Sequence, residues 1–81
     1  MGRGITAPEY RDKVKRYIDL VRVVRGNVTW REIGELTGQS YQNIHNKKMR
    51  GSITAAELFQ IADVLGADVR FVDKKTGKIL I

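Results

Sequence analysis

The sequence predicts a mainly α-helical domain of four helices closed by a C-terminal β-hairpin, and three observations carry that expectation. A Thr-x-x-Glu spacing occurs three times, at Thr6 and Glu9, Thr29 and Glu32, and Thr54 and Glu57. At a helix start this spacing lets the hydroxyl and the carboxylate each accept a backbone N–H that the first turn leaves unpaired. Apolar residues then recur at helical spacing up to Gly66, after which they alternate.

Met1 to Ile5 reads as a short flexible arm, with Gly2 and Gly4 around Arg3. The first helix starts behind the Thr6–Glu9 pair, with Pro8 in the first turn where its missing N–H costs little, and runs to about Arg25 before Gly26 stops it. Tyr10, Val14, Tyr17, Val21 and Val24 form its apolar stripe, widened by Ile18 and Leu20, and its tyrosines are expected in the core. Arg11, Lys13, Lys15 and Arg16 fall on other faces, from which they could touch phosphate, although a solvated face is the default expectation. The second helix begins at Trp30 behind Thr29, with Ile33 and Leu36 as its apolar side and Gly38 as its left-handed stop. Gly34 permits close approach of the third helix, Tyr41 to about Lys48, which Ser40 caps. Residues 49–53 connect to a fourth helix that Thr54 caps and Gly66 ends, with Leu58, Ile61, Ala62 and Leu65 on one stripe. In the hairpin, residues 68–81, Val69 and Phe71 are expected to share a face with Ile79 and Ile81 across a turn at 73–77, leaving Val72 and Leu80 on the opposite face as dimerisation residues.

The second and third helices carry the functional signal. Ile44 is expected to face inward, which leaves Tyr41, Gln42, His45 and Asn46 pointing outward with side chains able to hydrogen-bond base edges. Thr29, Ser40, Lys47, Lys48 and Arg50 surround them as candidate phosphate contacts. No acid occurs from Leu36 to Ala56, although the chain holds nine acidic residues. Such a gap suits a surface that meets a polyanion.

Composition bounds the remainder. Eighty-one residues make one small domain, residues 1–81, with a limited core that association would supplement. A net charge of +6 favours an anionic partner. The absence of cysteine removes disulfides and thiolate metal sites and accords with a cytoplasmic setting. Nucleic acid or an acidic membrane surface would both fit the net positive charge; no apolar run reaches membrane-span length, and of the two the membrane is not the expected partner. His45 is the only histidine, and no carboxylate cluster has ligand spacing. No catalytic residue, metal, cofactor or small-molecule substrate is therefore expected.

With these residues in view, the chain resembles the Cro and lambda-repressor family of helix-turn-helix proteins, often called the Xre family. The match rests on Ile33, Gly34, Gly38, Ser40, Ile44 and the run LFQIADVLGAD from Leu58 to Asp68. It covers Thr29 to Ala67 best, the first helix more loosely and the arm hardly at all. Ser40, Tyr41 and Gln42 also resemble the start of the recognition helix in lac-repressor-type proteins, which lack a final hairpin. Two positions depart from the family pattern: Trp30 stands where glutamine commonly reaches a phosphate, and Thr37 where an apolar residue usually precedes the turn glycine. Leu36 is expected to make good the lost packing, and the Trp30 indole N–H either contacts phosphate or packs inside.

The resemblance implies a lambda-repressor-like bundle whose third helix enters the major groove, a dimerising hairpin, and control of a mobile element or prophage. The expected function is a sequence-specific double-stranded DNA-binding transcriptional regulator, a repressor acting by operator occupancy as a homodimer. The alternative is a protein-interaction module such as an antitoxin or an accessory regulatory subunit. RNA binding ranks lower, because Phe71 is the hairpin's only aromatic.

Overall fold

The computed structural model describes residues 8–81 and contains four helices in chain order: α1 (Pro8–Val24), α2 (Trp30–Leu36), α3 (Tyr41–Arg50) and α4 (Ala55–Val64). The expected arm and the Thr6 cap lie outside the described residues. Both remaining capping boxes form. Thr29 Oγ1 accepts from the Glu32 N–H at 3.1 Å while Glu32 Oε1 accepts from the Thr29 N–H at 3.0 Å. Thr54 and Glu57 repeat the exchange at the start of α4, at 3.1 and 2.9 Å. α3 extends to Arg50 rather than stopping near Lys48, because Gly51, at φ +67°, supplies its left-handed C-cap.

The core is Ile18, Trp30, Ile33, Ile44, Ile61 and Leu65, with Val14, Val21, Val28, Ile53 and Leu58 packed against it. Ile33, Ile44 and Ile61 are essentially sealed from solvent; burying each contributes about 1.5–3 kcal/mol. The stripe expected on α1 is centred differently. Ile18, with Val14 and Val21, faces α4, whereas Tyr10, Tyr17, Leu20 and Val24 are exposed. At about 100° per residue Leu20 points nearly opposite Ile18, and Tyr10, Tyr17 and Val24 fall on the flank, where α4 does not cover them. The tyrosines therefore rim the core instead of filling it.

On α2 the expected pair is corrected too. Leu36 is 58% exposed, and Trp30, 6% exposed, takes the inward position beside Ile33. Residues three apart share a helix face, so Trp30 and Ile33 complete one stripe and Leu36 overshoots it at the last turn. Thr37 is not compensated by Leu36; its hydroxyl donates to the Ile33 carbonyl at 2.8 Å.

Gly34 and Gly38 fix the angle between α2 and α3. A Cβ on Gly34 would stand 3.0 Å from the Gln39 carbonyl oxygen and 3.1 Å from Ile44, where the Gln39 N–H donates to the Gly34 carbonyl at 2.7 Å. Gly38, at φ +75°, reverses the chain between them.

After Gly66 the chain makes an antiparallel return whose one bridge joins Val72 to Ile79, with no longer ladder. Asp73 Oδ1 accepts from the Lys75 and Thr76 N–H groups at 2.8 and 3.0 Å, and Gly77, at φ +76°, closes the turn. Asp73 N–H donates to Lys78 and Leu80 N–H to Phe71, at 2.8 and 2.7 Å, so odd positions face even ones. Val72 consequently shares a face with Ile79 and Phe71 with Leu80. This corrects the expectation that Val72 and Leu80 share a face: the four residues between Asp73 and Lys78 shift the pairing parity. Phe71, Val72, Ile79, Leu80 and Ile81 are all exposed. No described helix is long and apolar enough to cross a membrane.

Candidate nucleic-acid interface

α3 is held by one side and free on the other. Ser40 Oγ accepts from the Asn43 N–H at 3.1 Å, which fixes the first turn. Ile44 anchors the inner face, so Gln42 and Asn46, two residues to either side, project almost opposite it. Gln42 Nε2 donates to Asn46 Oδ1 at 3.1 Å. That bond orients both amides and leaves Gln42 its carbonyl oxygen and second N–H, and Asn46 its whole NH2 group, for an external partner. Asn43 and Met49 extend the exposed face on either side. Neither was picked out from sequence, although the same helical spacing that singled out Gln42 would have reached them.

Tyr41 and His45 stand at the flank. Their rings lie 5.5 Å apart, and the Arg31 guanidinium sits 4.5 Å above the Tyr41 ring. His45 is half-buried and turns Nδ1 inward, where no hydrogen-bond partner meets it. Only part of its ring is therefore available at the surface.

The charges flanking α3 are unequal. Lys48, on the α2 side, lies with Nζ 5.3 Å from the Trp30 ring and has no carboxylate within 4 Å among the described residues. Lys47, on the α4 side, forms an ion pair with Glu57. Sequence placed both lysines in an acid-free stretch, but the fold returns Glu57 from just beyond it. The Lys47 hydrogen bond, and then the Thr54 N–H, hold the Glu57 carboxyl below its ordinary value of 4.5. Lys47 is thus not a free cation in this fold: its charge is already answered by Glu57.

Trp30 does not reach outward. Its indole N–H donates to Asp19 Oδ1 at 2.8 Å, and the same oxygen accepts from Arg22 Nε at 2.9 Å. Burial opposes the charge of Asp19, but the hydrogen bonds from Arg22 and Trp30, with the Arg22 and Lys15 charges, outweigh it and keep the carboxyl below its ordinary 3.8. The Thr29 hydroxyl also stays within the fold, donating to Glu32 Oε1 at 3.1 Å. Glu32 places a negative charge beside it, which makes Thr29 a weaker candidate for a phosphate than Ser40, whose hydroxyl proton is uncommitted.

Arg22, Arg31 and Lys48 line one shallow cleft with Thr29, Trp30 and Tyr41, and no acid lines it. Lys48 also borders a second cleft, together with Arg50 and with Arg11 and Lys15 of α1. For the α1 cations a solvated face was the default and a phosphate contact the alternative; tertiary packing puts two of them beside the end of α3. Among the described residues no group of three or more His, Asp or Glu side chains is placed to hold a metal ion. No family model, curated protein or solved structure matches this chain.

Proposed function

We propose that the chain is a helix-turn-helix, double-stranded DNA-binding transcriptional regulator, with α3 in the major groove, the C-terminal return acting as a dimerising hairpin, and repression by operator occupancy. The observation that carries this reading is the free face of α3. Gln42 and Asn46 offer oriented amide groups there, and the adjoining Arg31, Lys48 and Arg50 have no carboxylate partner among the described residues. Amide pairs of this kind match the donor and acceptor pattern of adenine, and cations beside them match the phosphate wall of the groove. Tyr41 and His45 contribute at the edge of the face, and Ser40, Lys48 and Arg50 hold the backbone.

Selection of bound duplexes from a random pool tests the proposal. Enrichment of a short motif, repeated at one helical turn if two copies bind together, is the expected result. A pool that stays random at low salt would overturn it.

A second reading, a protein-interaction module such as an antitoxin or accessory subunit, has its own supporting observation. Tyr10, Val14, Tyr17, Leu58, Leu65 and Val69 line an apolar groove of about 360 Å³ between α1 and α4. Grooves of that character accept protein side chains. Its test is the same selection, whose failure favours it.

A further inference from the structure

The second basic cleft extends the interface onto α1. Arg11 and Lys15 of α1 and Lys48 and Arg50 of α3 surround about 280 Å³ of open space, with Asp12, Met49 and Gly51 completing the wall. The approach of the two helices is built in. A Cβ on Gly51 would lie 2.8 Å from Arg11 Cβ and 3.2 Å from its Cδ, so the Arg11 stem occupies the space that only glycine leaves open. Gly51 therefore does two things: it caps α3 in the left-handed conformation and seats Arg11 beside the helix end.

A simpler account would have these cations offset the negative carbonyl end of α3. That end carries about half a unit charge. Asp12 opposes one cation and Asp19 holds Lys15 at 3.7 Å. More than one positive charge is still left over, and neither Arg11 nor Arg50 has a carboxylate within 4 Å among the described residues. The excess leaves the cleft able to take an anion from outside the chain.

Position identifies that anion. Gln42, Asn46 and Arg50 succeed one another every fourth residue along α3, so the amide face leads directly to the cleft. Eight residues of helix span about 12 Å, close to the roughly 12 Å width of the B-form major groove. With Gln42 at the base edges, Arg50 and the cleft reach the groove wall. The geometry points to a phosphate-binding cleft at the C-terminal end of α3 in which Arg11 of α1 grips one backbone phosphate of the duplex, beside the phosphates that Lys48 and Arg50 of α3 hold. This rests on the DNA-binding reading above and adds α1 to the footprint.

The test uses the full chain and the duplex enriched by selection, with affinity measured by fluorescence anisotropy from 50 to 200 mM salt. Arg11→Gln is expected to flatten the log affinity against log salt plot by about 0.9, the value of one phosphate contact, and so to reduce the salt-driven loss over that range by about 3.5-fold. Arg11→Lys should keep the native slope, since it keeps the charge and the stem against Gly51. Lys13→Gln, altering a cation beside the Tyr17 ring and outside this cleft, should also keep it. A methylphosphonate scan of the duplex should find one phosphate whose neutralisation weakens the native chain but not Arg11→Gln. If the native chain binds the duplex and Arg11→Gln retains the full slope, the cleft proposal fails and the DNA-binding reading stands. If the native chain binds no duplex at low salt, both fail.

Discussion

The unequal flanks of α3 make a sharp prediction about its two adjacent lysines. Lys47 is paired with Glu57, whereas Lys48 lies over the Trp30 ring and has no carboxylate within 4 Å among the described residues. A lysine already paired with a carboxylate releases no net counterion on meeting a phosphate, because the site was neutral beforehand. Lys48→Gln should therefore reduce the salt slope of duplex binding by about 0.9, equivalent to about 3.5-fold between 50 and 200 mM salt. Lys47→Gln should leave the slope unchanged. Glu57→Gln is the informative third variant: the glutamine carbonyl can still accept the Thr54 N–H, so the cap of α4 survives, but Lys47 is released. Its slope should steepen, by up to about 0.9 if the freed lysine reaches a phosphate. The partly exposed pair contributes about 1 kcal/mol or less to folding, so the variant should remain folded, which a thermal melt would check. Equal flattening by Lys47→Gln and Lys48→Gln, with no steepening in Glu57→Gln, would refute the asymmetry.

Further outcomes follow from the same geometry. Trp30→Phe keeps an aromatic ring in the core but takes the N–H from Asp19, and should cost about 1.5–3 kcal/mol in urea denaturation, as expected for a hydrogen bond to a charged group; a loss near zero would mean that Asp19 is held without it. Acid should unfold the chain in part through Asp19 and Glu57. Both have depressed values when folded, so their stabilisation is complete above the ordinary 3.8 and 4.5 and is lost as pH falls through the lower folded values. Asp19→Asn should flatten that acid limb, and an unaltered pH profile would count against the network. Gln42→Ala should preserve the fold and the salt slope while relaxing preference at one base pair per half-site, with about 1–3 kcal/mol of discrimination lost; equal losses on specific and scrambled duplexes would remove Gln42 from base reading. Since Val72 and Leu80 lie on opposite faces of the C-terminal return, a dimer formed through one face should dissociate in sedimentation with only one of Val72→Asp and Leu80→Asp. Persistence of the dimer in both would place the interface on the helices.

What the sequence determined by itself is local. The Thr29 and Thr54 caps, the Ser40 cap and the glycine stops at Gly26, Gly38 and Gly66 depend on groups within a few residues of one another, and each could be read from spacing. Ile44 was legible as the inward residue of α3 for the same reason, and with it the opposite placement of Gln42 and Asn46. Tertiary structure decided whatever depended on a distant partner. Leu36 and Trp30 were both plausible core residues until α1 supplied Asp19 for the indole N–H and left nothing over Leu36. The acid gap from Leu36 to Ala56 described the chain and not the surface, because α4 folds Glu57 onto Lys47. Arg11 became part of the candidate site only when Gly51 made room for its stem. In the C-terminal return the alternation was visible, but the residues that face one another were set by turn length, and one residue of parity exchanged the faces. Caps and turns are fixed by bonds that close over three or four residues; charge and burial are fixed by whatever the whole chain brings alongside.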